Sequence, residues 1–178
     1  MAKFELIEKP VLGNYVRSIA DVTLTEVADL GILSIATPLG GEKKRDAALK
    51  KPKLAAVEPG KSSKAGSLRL VGMAADQHFL LSEGAALPEV KDVYTTDQSH
   101  NWVAIRAEGP AIWAAMERIC MLDLHPEVCL IDDAPRFDIE TMATLMVKED
   151  ENTILLLSAS SSARSFLHAI ETALVSVS

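Results

Sequence analysis

Aromatic side chains are scarce here: four Phe, two Tyr and two Trp make up 4% of 178 residues. A surface that holds nucleic acid by stacking needs several of them interleaved with cations, so that class is disfavoured. Cysteine is scarcer still, with Cys120 and Cys129 alone. Two thiols build no disulfide scaffold, and they fit a reducing compartment as free thiols. No run approaches the roughly 18 apolar residues of a membrane-crossing helix. The opening MAKFELIEKPVLG lacks the apolar core of a secretory leader. The expectation is a cytoplasmic protein without membrane contact. A phosphate-binding glycine loop is missing as well. Gly40 and Gly41 run into Glu42 and Lys43 instead of Gly-Lys-Ser/Thr, and G-x-G-x-x-G does not occur. A Rossmann dinucleotide site therefore has no support.

Apolar side chains, in contrast, are abundant at 48%, against 24% charged, with a mean hydropathy of +0.16. The length suits one domain spanning 1–178 with a substantial core. The hydropathy is high for a solitary domain, which implies that some apolar surface belongs to a partner. Charge is uneven. Residues 41–66 hold eight cations (Lys43, Lys44, Arg45, Lys50, Lys51, Lys53, Lys61, Lys64) against Glu42, Asp46 and Glu58, so +5 sits there and −12 on the rest of a chain whose net charge is −7. With no aromatic in the segment, it reads as a solvated helix and a flexible basic loop over 52–66, able to dock an acidic neighbour.

The most informative feature is an approximate duplication. VGMAADQHFLLS from Val71 and VKEDENTILLLS from Val147 are both apolar strands broken by a polar turn and closed by Leu-Leu-Ser, 76 residues apart. Upstream, GILSIATPLGG from Gly31 matches NWVAIRAEGP from Asn101 at an offset near 70. Each copy reads strand, helix, loop, strand, turn, strand, helix. In the second, Gly109 and Pro110 suit a helix start, and Ile112, Trp113, Met116, Ile119 and Cys120 recur at helical spacing. The closing helix has Ser160–Ser162 as caps and a stripe of Phe166, Leu167, Ile170, Leu174 and Val177. In the first copy the helices fall at Gly41–Lys51, fenced by Pro52 and Pro59, and at Leu87–Val93. The fold class is α+β: two pseudo-symmetric, ferredoxin-like βαββα halves, at about 22–94 and 95–178. The expected core is Ile35, Leu70, Phe79, Leu81, Trp102, Ile105, Met116, Leu155, Leu157, Phe166 and Ile170.

No constellation reaches the pattern its chemistry requires. Cys120, His125 and Cys129 stand at C-x4-H-x3-C with His100 upstream. That spacing lacks the paired-cysteine knuckle of a zinc site, and Cys120 lies on an apolar stripe where a thiol packs as a small hydrophobe. Asp97, Ser99 and His100 hold the residue types of a triad, but neighbours on a strand face opposite ways and relay no proton. Neither cysteine is marked as a polarised thiolate beside a base. Ser158, Ser160, Ser161 and Ser162 before Arg164 read as local capping ahead of anion binding. Asp132, Asp133 and Asp138 around Pro135 read as an exposed loop. No residue is assigned a catalytic, cofactor-binding or metal-ligating role.

Tyr94 to Val128 resembles the gamma subunit of bacterial heterotetrameric sarcosine oxidase. The carrying residues are Thr96, Asp97, Ser99 and His100 before a strand, Gly109 and Pro110 before a helix, and Leu122, Asp123, Leu124 and Pro126 after it. The closing LLLSASSSARSFLHAIETAL, with Ser161 and Arg164, is similar too. Two departures stand out: Cys129-Leu130-Ile131-Asp132-Asp133 replaces a glycine-rich turn, and Ser162 replaces an aromatic. The resemblance implies a fold similar to the folate-binding module of the glycine-cleavage aminomethyltransferases. It further implies alpha, beta and delta partner subunits, and an assembly that oxidatively demethylates sarcosine to glycine with hydrogen peroxide, passing the methyl carbon to tetrahydrofolate. FAD, FMN, NAD and tetrahydrofolate would belong to the larger subunits, leaving this chain non-catalytic. The transferases' catalytic Asn-x-x-Gly-Gly-x-x-Asp-Asp stretch has no counterpart, so no folate ligand carries over. A free-standing folate or one-carbon binder and an RNA-binding ferredoxin-like module remain as alternatives.

Overall fold

A computed structural model describes residues 9–50, 52–84 and 86–178. Among these residues, eleven strands form two wholly antiparallel sheets. β1 (Val16–Ile19), β2 (Val22–Glu26), β8 (Trp102–Glu108), β11 (Thr153–Ala159), β10 (Met142–Asp150) and β9 (Arg136–Ile139) lie in the order β1-β2-β8-β11-β10-β9. β4 (Ser62–Ala65), β5 (Leu68–Ala74), β6 (Gln77–Glu83), β3 (Leu30–Ala36) and β7 (Tyr94–Asp97) form the second sheet, in the order β4-β5-β6-β3-β7. Three helices, α1 (Glu42–Lys50), α2 (Ile112–Ile119) and α3 (Ala163–Val175), cover the outer faces.

Both faces of both sheets are covered, and this explains the near-continuous apolar strands. Along β11, Ile154 and Leu156 point to a core shared with Met116 of α2 and Phe166 and Ile170 of α3. Their neighbours Leu155 and Leu157 point the other way, into a core between the sheets with Ile32, Val71 and Phe79. A third core puts Ile35, Leu70 and Leu80 under Leu49 of α1. This is the two-residue alternation of a strand read out on two buried faces. Ten of the eleven expected core residues are buried; Trp102 is half-buried, its ring edge-on to Phe79 at 5.5 Å between centroids.

The duplication is present in the hydrogen bonding. β5 and β6 slip register between Gly72 and Ala74, and β10 and β11 slip between Lys148 and Asp150, each 76 positions later. The structure adds a short strand to each half, β4 and β9, paired at equivalent places onto β5 and β10. The leading strands cross over: β2 pairs with β8 in the sheet of the second half, and β7 pairs with β3 in the sheet of the first.

Several local expectations are corrected. Leu87–Val93 forms no helix. The stretch carries Pro88, is too short to sustain helix without strong packing, and has Asp92 at φ 63. It runs without regular secondary structure between β6 and β7, with Val90 buried in the third core. The first-copy helix ends at Lys50, and Lys51 lies outside the described residues. The expected loop over 52–66 contains β4, and Gly60 and Lys61 are hydrogen-bonded to Gly72. Gly109 does not cap α2, whose N-cap is Ala111; its φ is 148 and an added Cβ would stand 2.0 Å from the Asp21 carbonyl oxygen. Nor do serine side chains cap α3. Ser160–Ser162 is a 3-10 turn, with the Ser160 hydroxyl donating to the His100 carbonyl and that of Ser162 to the Ala159 carbonyl.

Candidate functional site

The Thr-Asp-x-Ser-His segment lies where the chain leaves one sheet for the other. After β7, a 3-10 turn at Ser99–Asn101 turns the chain into β8. Asp97 accepts hydrogen bonds from the Ser99 amide at 2.9 Å and the Ser99 hydroxyl at 2.6 Å, which hold its carboxyl below the usual aspartate range. The same Ser99 oxygen accepts the Ile32 amide at 2.9 Å. The turn thus pins β3. A matching crossing links β2 to β3, and the amides of Val27 and Gln98 donate to the carbonyls of Ala104 and Ile32 in mirror fashion. Glu26 is the counterpart of Asp97, and its carboxylate accepts three amides, those of Leu12, Asn14 and Tyr15.

Between the crossings lies a cleft of about 740 Å³, lined by residues that include Glu26, Asp29, Leu30, Asp97, His100 and Trp102. Its chemistry is limited by prior engagements. Glu26 is engaged by three backbone amides, and the Ser99 hydroxyl donates to Asp97 and not to His100. The sequence argument against a relay assumed a strand at Ser99–His100. The structure has a turn there, and the serine is committed to holding β3.

The remaining sequence-selected residues are dispersed or structural. Cys129 is buried and Cys120 half-buried, and burial pushes both thiols up from their ordinary pKa, away from thiolate character. His125 is exposed, and its backbone carbonyl anchors the Val128 and Cys129 amides. Among the described residues, no three His, Cys, Asp or Glu side chains gather closely enough to hold a metal ion. Ser158 is buried and donates to the Ala143 carbonyl, while Ser161 and Arg164 are exposed.

The acidic group is corrected more substantially. Asp132 meets buried Arg69 at 2.5 Å and Asp133 meets Lys61 at 2.6 Å, so two carboxylates of the second half clasp two cations of the first. Asp138 is exposed, and the Asp132 side chain, though paired, keeps 47% of its surface open to solvent. A second clasp was not visible in the sequence. Arg106 of β8 forms a two-pronged pair with Glu83 of β6, at 2.9 and 2.7 Å, and meets Glu149 of β10 at 2.6 Å. Arg106 holds the Glu83 carboxyl below its usual range.

Two other polar groups are fully enclosed. Lys148 donates to the Cys129 carbonyl at 2.7 Å, with its ammonium 4.7 Å from the centre of the Trp113 ring. His78, 1% exposed, meets the Val57 carbonyl through Nε2 while Nδ1 has no partner, and burial lowers its pKa. Large apolar residues are left outside at several places, among them Val11, Val16 and Val175. Met121, Leu122, Val128, Leu130 and Ile131 are exposed on the α2–β9 connection, and Leu39 and Tyr94 at the other sheet.

No protein-family model and no curated protein sequence matches the chain. Solved structures do match in fold. A chain of heterotetrameric sarcosine oxidase from Corynebacterium sp. U-96, in complex with pyrrole 2-carboxylate, superposes with a TM-score of 0.78 at 20% identity. The match covers 91% of this chain and 88% of that one. Glycine cleavage system aminomethyltransferase T from Bartonella henselae superposes with a TM-score of 0.61 at 13% identity, covering 85% of this chain and 46% of that one. The chain therefore has the double-sheet α+β fold that these proteins share. It accounts for almost the whole of the first and about half of the second. Among the described residues, no helix is long and apolar enough to cross a membrane.

Proposed function

We propose that this chain is a gamma-type, non-catalytic subunit of a cytoplasmic heterotetrameric sarcosine oxidase, assembling with alpha, beta and delta chains. The observation that carries this reading is the two-way coverage. The chain matches a chain of the sarcosine oxidase over 91% and 88% of the respective lengths, whereas it covers 46% of the aminomethyltransferase. Its single domain, with halves near 22–94 and 95–178, is the size of that subunit, and the motif residues carrying the sequence resemblance are engaged in architecture. Asp97 and Ser99 fasten the sheet crossing. Gly109 admits the β1–β2 turn. FAD, FMN, NAD and tetrahydrofolate then belong to the larger subunits, and the oxidation of sarcosine takes place there. The exposed apolar side chains on the α2–β9 connection support a subunit role, since a partner would take them out of water.

Purification of the tagged chain from its native host tests this. The expected result is co-elution with larger chains that carry bound flavin. Elution as a lone monomer from cells grown on sarcosine would overturn the reading in favour of a free-standing binder.

A further inference from the structure

We infer that the solvent face of α1, with the groove beside it, docks an acidic segment of a partner subunit that also carries an apolar side chain. For the identity of the partner this rests on the subunit reading above. The helix explains the surface. Arg45, Ala48 and Leu49 turn towards the sheet, half-buried or buried, while Lys43, Lys44, Ala47 and Lys50 are exposed. Lys43 and Lys50 are seven apart with Ala47 between them, so they share one stripe. Among the described residues, Lys43, Lys44, Lys50 and Lys53 form no ion pair; the helix's one pair joins Arg45 to Asp46.

Beside that stripe is a groove of about 400 Å³ between the β3–α1 turn and the start of β7, lined by Pro38, Leu39, Gly40, Gly41, Lys44, Asp92, Val93 and Tyr94. Leu39 is 104% exposed and Tyr94 71%. Lys44 lines this groove together with the two bare apolar side chains, next to the Lys43–Lys50 stripe, on a chain whose charge apart from Lys43, Lys44, Lys50 and Lys53 is −11. Charge complementarity selects an acidic occupant, and Leu39 and Tyr94 supply an apolar anchor point that cations alone do not. Nucleic acid fits less well. Tyr94 is the lone exposed aromatic of the groove, so successive bases would find no stacking platform there.

Two measurements keep this proposal separable from the subunit reading. In the first, tagged wild-type chain and the variants Lys43→Glu/Lys44→Glu and Leu39→Ser are purified from the host, alongside Asp138→Asn as an exposed control. The surface predicts at least a tenfold loss of co-purifying chains for the first two variants and none for the control. Equal recovery would overturn the surface and leave the subunit reading standing. In the second, the isolated chain is titrated with a peptide of eight Glu flanking one Phe, and separately with a single-stranded oligonucleotide, followed by amide chemical shifts. Shifts confined to residues near 39–50 and 92–94, weakening about tenfold between 50 and 300 mM salt, support the surface even if nothing co-purifies, in which case the subunit reading alone falls. Shifts elsewhere, or tighter binding of the oligonucleotide, would overturn it.

Discussion

Replacing Gly109 by alanine probes the joint that fixes the two halves in one domain. Gly109 ends β8 at φ 148, donates its amide to the Asn152 carbonyl, and lies under the β1–β2 turn. An added Cβ would fall 2.0 Å from the Asp21 oxygen and 2.8 Å from the Val22 Cα. Both are backbone atoms, so relief requires moving β2, whose Leu24 and Val22 are fully buried in the first core. Gly66 and Gly72 separate the two penalties. Gly66 has φ 63 and open space around its Cβ position, so Gly66→Ala reports the backbone cost alone, about 1 kcal/mol. Gly72 has an ordinary backbone but would place a Cβ 2.1 Å from the Glu58 oxygen, so Gly72→Ala reports steric displacement, about 1–3 kcal/mol. Gly109→Ala carries both, about 2–4 kcal/mol. At about 2–4 °C per kcal/mol for a domain of this size, Tm should fall by about 3 °C for Gly66→Ala and by about 9 °C for Gly109→Ala. Thermal melts followed by circular dichroism read this directly. A Gly109→Ala melt no lower than that of Gly66→Ala would refute the close approach of β2 to the end of β8.

Three further outcomes follow from the packing and the charges. Phe166→Ala empties the largest fully buried side chain of the first core and should cost about 3–5 kcal/mol in urea unfolding; a cost under 1 kcal/mol would mean α3 does not pack there. Arg106→Gln removes the partner of Glu83 and Glu149. Because Glu83 titrates below its ordinary value, its contribution is complete above the normal carboxylate range and is lost as pH falls through the lowered one. Urea midpoints between pH 3 and 7 should therefore slope less in the variant, and parallel slopes would contradict the clasp. His78 is lowered by burial, so the wild type should lose stability as pH falls below about 6.5. His78→Gln should flatten that segment of the profile, and an unchanged profile would contradict the buried, half-satisfied imidazole.

What was legible in the sequence was what repeats over short range. The 76-residue register of Val71–Ser82 and Val147–Ser158 locates both central hairpins, and the structure adds equivalent bulges in them. The stripe from Phe166 to Leu174 located α3 and its buried face. What stayed hidden depended on partners distant in the chain. Arg69 and Asp132 are 63 residues apart and Lys61 and Asp133 are 72 apart, so the acidic run looked like a solvated loop. The exchange of β2 and β7 between sheets leaves no mark in their alternation, because a strand's period is the same whichever sheet receives it. Asp97, Ser99 and His100 read in the sequence as neighbours on a strand. The turn that makes Ser99 a structural pin followed from its bond to Ile32, in another strand. Val16–Ile19, the β1 edge, has three exposed residues and too little apolar pattern to be seen.

Reconstitution tests the proposed role of holding an oxidase together without performing the oxidation. The larger subunits proposed as partners are coexpressed with and without the chain, and complex mass is measured together with peroxide released from sarcosine. A smaller, inactive or dissociated assembly is expected without the chain, full mass and turnover with it, and no peroxide from the chain alone. A complex that assembles completely and turns over at the same rate without the chain would contradict it.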